Sequence, residues 1–378
     1  MLKEALNLTS KRDISILIHY VAFAILAMAT FSCSSPDTSS KNITILPEDK
    51  IAQAIPLEAQ DIWYPVDSIY PNQYYVYADS ILIVENKKGA GHFLNFYDIS
   101  SQKLIASQIP YGEGPDEWLF TQMYFEGDYM HITDYIKSRF CKLDIQRVLT
   151  DSTYTPQLID YPREIIMTCP PNLLGDSIIG VNSFYYVNRQ MGIDQRPPHL
   201  FFITGDPDNY PNIEDYEYMP VNVSQGLMGV NSRLKKVFFA SFNASDIEFY
   251  NSNLQLEKEV LGPVQLPEAN LKPYSDKETG IRKLAYNQDG RPKAYNKYTQ
   301  LNDTLYFTYT GAYRRWDDTK EFPSYILKFD WNGNLLQIYK APMEIRTISV
   351  SHKGDDTFYG TIEDEEGNPK PIKLVTKD

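Results

Sequence analysis

Tyr111–Asp144 reads YGEGPDEWLFTQMYFEGDYMHITDYIKSRFCKLD. It opens on a Gly-Glu-Gly-Pro turn, where the backbone needs residues free of a Cβ or with a preset φ. An apolar-rich run follows over Phe120–Phe125, then a Gly-Asp turn, a second run over Tyr129–Thr133, a polar turn and a third run over Arg139–Leu143. Short β-rich runs separated by tight turns predict an antiparallel meander. One meander cannot cover both of its own faces, so it implies further copies.

The rest of the chain supplies them. An Asp followed by an apolar run recurs at Asp79, Asp128, Asp176, Asp303 and Asp356. The spacing is roughly 50 residues, the length of one four-stranded blade, and the gap between Asp176 and Asp303 leaves room for two longer units. Second anchors end in Phe96–Ile99, Lys142–Asp144, Phe202–Asp206, Glu248–Asn251, Lys328–Asp330 and Lys373–Val375. A further run usually follows, as at Lys103–Ile109, Leu254–Val260 and Leu335–Tyr339. The expectation is an all-β fold, a six-bladed β-propeller over residues 51–378.

The last unit has runs at Arg346–Val350, Thr357–Glu363 and Lys370–Thr376, and then the chain stops. An unpaired edge there would expose backbone donors and acceptors. An N-terminal strand is expected to complete the last blade: Gln53–Glu58 first, Ile43–Leu46 second.

Residues 1–32 read as an export signal. Lys3, Lys11 and Arg12 precede a mostly apolar run over Ile14–Phe31, and Ser32-Cys33 is followed by a Ser-rich polar stretch. This resembles a bacterial lipoprotein signal, with Cys33 the lipidation site and 33–50 a flexible tether, although Thr30 stands where such signals favour Leu. An uncleaved membrane anchor is the other reading. Of the three cysteines, Cys141 and Cys169 remain for the folded part, and Cys141 alternates within a strand as a small buried residue does. No disulfide is expected.

The net charge is -13 over 378 residues, which disfavours nucleic acid as a partner. His92, His131, His199 and His352 are scattered without ligand spacing. No nucleophile elbow, phosphate loop or zinc-helix motif is present. Glu113 and Asp116 are the only candidates for a metal, calcium, at the Gly-Pro turn. Otherwise no cofactor is expected. Glu363–Asn368 reads as a solvated hairpin tip. Glu117 is expected to accept backbone N–H groups, and Asp134 with Arg139 to form an ion pair across a turn.

Within Tyr111–Asp144 the sequence resembles an NHL-type blade, carried by Gly112, Gly114, Pro115, Trp118, Asp134 and Arg139. The turn Gly112–Trp118, with Glu117, is also similar to that of TolB-like six-bladed propeller lipoproteins, as is Ile55-Pro56-Leu57-Glu58. The match is specific over about one blade. It implies a propeller and a cell-envelope location, and it assigns no activity.

Binding is expected from loops at one end of the ring. Gly311–Phe322 sets Tyr313, Arg314, Arg315 and Trp316 together, an Arg-aromatic composition suited to a protein or glycan partner. Gly262–Ala294 and the acidic, Tyr-rich Asp206–Tyr218 are further excursions. The expected function is a lipid-anchored envelope binding or scaffold protein. The alternative is a divalent-metal-dependent, lactonase-like hydrolase or lyase, with carboxylates converging in the central channel.

Overall fold

The computed structural model describes residues 42–65, 71–87, 91–162, 169–182, 185, 198–203, 225–266, 271–275, 277, 282–286, 290–315 and 322–377. The export signal, Cys33 and the first part of the tether lie outside them.

Strand follows strand in six consecutive antiparallel meanders. Blade 1 comprises Pro71–Tyr77, Ile81–Asn86, His92–Asp98 and Lys103–Pro110. Blade 2 comprises Gln122–Glu126, Tyr129–Asp134, Arg139–Asp144 and the short Ile159–Asp160. The described strands of blade 3 are Asn172–Leu174, Ser177–Val181 and Leu200–Ile203. Blade 4 is Gly226–Asn231, Lys236–Ser241, Asp246–Asn251 and Leu256–Leu261. Blade 5 is Gly290–Leu301, Thr304–Arg315, Ser324–Asp330 and Leu335–Ala341. Blade 6 is Ser349–Val350, Phe358–Glu363 and Pro369–Thr376, with Ile55–Asp61 as its fourth strand. The fold is an all-β six-bladed propeller.

The sheets bury their apolar residues against one another. Phe96 and Ile83 of blade 1 share a core with Phe125 and Ile132 of blade 2. Val181 of blade 3 meets Val237 and Phe239 of blade 4. Phe238 of blade 4 meets Phe307 and Tyr298 of blade 5 edge-on, with ring centroids 4.9 Å apart in both pairs. Tyr306 and Tyr339 of blade 5 close on Phe358 of blade 6. Tyr359 of blade 6 packs on Tyr74, Val76, Leu82 and Val84 of blade 1. At that last contact, Thr361 Oγ1 accepts from the Tyr74 amide at 2.8 Å and Tyr359 donates its hydroxyl to Asp79 at 2.9 Å.

The N-terminal strand lies where the missing partner of the last blade was expected. Leu57 to Asp61 run antiparallel to Thr376 to Ile372. Ile55 and Pro56 also pair, in parallel, with Tyr339 and Lys340 at the outer strand of blade 5. One strand therefore satisfies two edges.

The expected tether, 33–50, and the second choice for the closing strand both need correction. Ile43–Ile45 is a strand, parallel to Glu259–Leu261 on the outside of blade 4. Its β-branched Ile-Thr-Ile run suits a strand, and the outer edge of blade 4 offers unpaired backbone groups. The Glu259 amide donates to Asn42 at 3.0 Å, and the Leu46 amide to Leu261 at 2.8 Å. A short helix, Asp49–Ala52, then leads into the closing strand.

Cys141 and Cys169 are both free and buried. They lie in different cores, and burial raises both thiol pKa values. His131 is fully buried, stacked between Tyr124 at 4.9 Å and Phe140 at 5.2 Å. Burial, opposed by the Glu126 charge and assisted by Lys142, pushes its pKa down to about 3.

Two measurements test these assignments. Leu57→Ala, at the start of the antiparallel pairing, should cost about 2–4 kcal/mol and lower a single calorimetric transition of the whole domain. Loss of a small separate transition instead would mean the strand serves one blade alone. The unfolded chain protonates His131 near pH 6.5 and the folded chain only near 3. Its contribution to stability is therefore present above pH 6.5 and is lost as pH falls towards 3, by at most about 5 kcal/mol. His131→Phe should flatten that part of the stability–pH curve, measured by urea unfolding.

Candidate functional site

The Gly-Pro turn is a connector built from blades 1 and 2. Trp118 is buried in the core between them. Its amide donates to Pro110 at 2.8 Å, and its carbonyl accepts from Gly112 at 3.0 Å. Glu117 folds back so that its carboxylate accepts the Gly114 amide at 2.8 Å. A Cβ on Gly112 would sit 2.0 Å from a Glu117 carboxylate oxygen, so a larger residue there would push the Glu117 side chain off the Gly114 amide.

Asp134 and Arg139 do not pair, contrary to the ion pair expected from sequence. Asp134 is fully buried and accepts four amides, from Leu119 at 2.7 Å, Phe120 at 3.3 Å, Ile136 at 2.8 Å and Lys137 at 3.1 Å. It is an acceptor for backbone donors that would otherwise have none. Arg139 instead meets Asp160 at 3.3 Å and donates to the Pro115 carbonyl.

Sequence reasoning missed Lys137. Its ammonium donates to the carbonyls of Gly112 at 3.1 Å, Gly114 at 2.7 Å and Glu117 at 2.6 Å. Those three oxygens are what a cation at this turn would use, and an ammonium already fills their centre. The separation of 20 or more residues hid the contact from any local motif. Glu113 and Asp116 stand at the same turn, and among the described residues no three His, Cys, Asp or Glu side chains group as metal ligands.

The first strands of blades 2 and 5 pair in parallel, Phe125 with Thr299 and Glu126 with Gln300. Tyr298 donates its hydroxyl to Glu126 at 2.6 Å, Lys142 its ammonium at 2.9 Å, and Asn172 of blade 3 its amide at 3.2 Å. Burial alone would raise the Glu126 pKa, but Lys142, His131 and these hydrogen bonds more than offset it, and the carboxylate is held below its ordinary range. Glu85 of blade 1 is buried beside Asn72 and Tyr75, and there burial wins and its pKa is raised. Lys297 faces the Glu85 charge, and burial lowers its pKa.

One end of the ring carries a projecting hairpin. The second strand of blade 5 keeps its third-strand partner only from Thr304 to Tyr309. Beyond Tyr309 it pairs with Gly290–Lys293 alone, matching Ala312 with Lys293, Tyr313 with Pro292, Arg314 with Arg291 and Arg315 with Gly290. Tyr313, Arg314 and Arg315, expected on a loop, therefore stand on paired strand. Trp316 and Asp206–Tyr218 lie outside the described residues. The Gly262–Ala294 excursion contains its own hairpin, Leu271–Ser275 with Arg282–Tyr286, and ends where blade 5 begins at Gly290.

Cross-strand pairing puts Arg291 directly opposite Arg314, and Lys293 two residues along on the same face. Like charges directly opposite each other oppose strand pairing. Arg314 stacks over Phe322 at 5.4 Å and meets Glu344 at 3.5 Å. Lys293 is half-buried. Burial, then the charges of Arg314, Arg291 and Arg346, lower its pKa, with Glu344 the opposing influence.

Arg314 also lines a cleft of about 710 Å³ between blades 5 and 6. Met343, Glu344 and Arg346 line it together with Glu363, Asp364, Glu365, Glu366 and Lys370. Arg346 pairs with Glu363. Within the Glu363–Asn368 tip, Asp364 accepts the amides of Glu366 at 3.0 Å and Asn368 at 2.8 Å.

Comparison with known proteins adds the following. The family described as TolB-like 6-blade propeller-like matches residues 67–353. No match is found among curated proteins. Among solved structures, the chain is similar to a protein of Bacteroides fragilis NCTC 9343 named a candidate exported protein. That match has 14% identity, covers 89% of this chain and 99% of the other, and has a TM-score of 0.47. A DUF4221-family member from Bacteroides vulgatus ATCC 8482 gives 12% identity, 85% and 97% coverage, and a TM-score of 0.44.

Lys137→Met should leave the Gly112 and Glu117 carbonyls without this donor, Gly114 keeping the Glu117 amide, and cost about 1–3 kcal/mol. Denaturant unfolding measures this loss, and calcium added to the variant should not restore the stability.

Proposed function

The chain belongs to the TolB-like 6-blade propeller-like family, and from that premise we propose that it is an exported, lipid-anchored binding or scaffold protein of the bacterial cell envelope. It recognises a protein or glycan with the end of the ring that carries the blade 5 hairpin. The location rests on the basic and apolar N-terminal pattern and on Cys33 followed by a Ser-rich stretch. The recognition role rests on one observation: a two-stranded arm, rigid through its own ladder, projects Tyr313, Arg314 and Arg315 past the third strand beside a cleft of about 710 Å³. A cleft of that size lies within the range of small-ligand sites.

The lactonase-like alternative requires carboxylates converging in an open central channel. Backbone pairing of Phe125–Glu126 with Thr299–Gln300 joins blades 2 and 5, and Glu126 already accepts three side-chain donors. That geometry favours the binding reading.

The test uses membrane fractions of cells expressing the full chain. Wild type should cofractionate with membranes and capture an envelope protein or glycan after crosslinking. Cys33→Ala should move to the soluble fraction. Arg314→Ala combined with Arg315→Ala should weaken capture at least about tenfold, with an unchanged melting temperature. Capture unaffected by the double substitution would place recognition elsewhere on the ring.

A further inference from the structure

The outer strand of blade 5, Leu335–Ala341, is covered along only part of its length. One edge pairs with the third strand of its own blade from Leu335 to Ala341. On the other edge Ile55 and Pro56 pair in parallel with Tyr339 and Lys340, and no other described strand joins that edge. Continued backwards, this register would set Ile51–Ala54 against Leu335–Ile338. Those residues instead lie in or just after the short helix Asp49–Ala52, so Leu335–Ile338 presents backbone donors and acceptors with no strand opposite. The Ile338 carbonyl accepts from the side-chain amide of its own neighbour, Gln337, at 3.0 Å, a contact that an incoming chain would displace.

A cleft of about 610 Å³ runs along this edge, lined by Leu335–Ile338, by Lys258 of blade 4 and by Lys50 and Gln53 of the N-terminal segment. Leu336 is 50% exposed there. The charged residues of the lining are Lys50 and Lys258 alone, in a chain whose net charge is -13. Lys258 donates to Asn334 at 3.0 Å, and neither lysine forms an ion pair among the described residues. An open strand edge takes an extended chain through main-chain hydrogen bonds, and the side chains beside it choose the sequence. Ammonium groups without a carboxylate favour an acidic partner. A lipid headgroup would answer the charge but has no ladder of amides to offer the edge. We propose that this cleft receives an extended, acidic segment of a partner protein, added to blade 5 as a further strand along Leu335–Ile338. The surface shares no lining residue with the cleft beside Arg314, and the proposal does not rest on the blade 5 arm.

Fluorescence anisotropy and hydrogen exchange on the full chain, purified in detergent, test this with three labelled octapeptides. One alternates valine with glutamate, one alternates valine with lysine, and the third is the acidic peptide N-methylated at every amide. The acidic peptide should bind at least about tenfold more tightly than either of the others. Its affinity should fall as salt rises, and it should slow exchange at the Leu335–Ile338 amides. Lys50→Glu combined with Lys258→Glu should reverse the preference between acidic and basic peptides. Lys103→Glu combined with Lys353→Glu, the same change of charge at exposed sites outside the cleft, should leave it as in wild type. Equal binding of the two charged peptides, indifference to N-methylation, or no added protection at Leu335–Ile338 would overturn the proposal. It would also fail if only binding to phosphatidylglycerol vesicles, or only self-association in sedimentation, responded to the Lys50 and Lys258 reversals. Those results would assign the cleft to a lipid surface or to a second copy of this chain.

Discussion

A four-stranded meander has two apolar faces and no way to shelter either alone, and the rest of this molecule follows from that. Each sheet leans its inner-face aromatics on the next, as Phe238 does on Tyr298 and Phe307. The dependence is mutual, because a blade removed from its neighbours would expose both of its faces to water. The contact of Tyr359 with the first sheet is then as much a part of the fold as any contact between sequential blades. This arrangement accounts for many of the chain's 29 tyrosines. Rings such as Tyr74, Tyr295, Tyr298, Tyr309 and Tyr339 are fully buried between sheets, and several place their hydroxyls on backbone or carboxylate acceptors.

The same packing brings the first strands of opposite blades close enough to share backbone hydrogen bonds. At Glu126 a buried carboxylate collects donors from three other strands, and the loss of hydration is compensated locally. Glu85, with fewer donors, is left with burial as the dominant influence. Polar residues such as Glu126 thus act as joints between blades.

Much of this was legible in the sequence, for reasons particular residues make plain. Period-two alternation and glycine turns locate the strands of Tyr129–Asp134 and Arg139–Asp144 to within a residue or so. A last unit one strand short points to the N-terminus for its partner, and Leu57–Asp61 takes that place. Spacing cannot reveal convergence. Lys137 reaches carbonyls two turns earlier in the chain, and nothing local to Tyr135–Ser138 marks it for that task. Asp134 looks like the acid of a surface ion pair and is a buried acceptor for four amides. Arg291 and Lys293 lie inside a segment that reads as a loop excursion, and only strand register sets them beside Arg314. Which sheet edge would receive Ile43–Ile45 was likewise a tertiary choice.

The strand Ile55–Asp61 is made long before its main partner, Ile372–Thr376. Until the final residues have emerged, that early strand has only the two-residue pairing at Tyr339 and Lys340 to hold it. A nascent chain of this design completes blade 1 within Pro71–Pro110 but leaves blade 6 unfinished until Ile372–Thr376 is made. A truncation before Ile372 would leave the segment Leu57–Asp61 without its antiparallel partner and blade 6 two strands short.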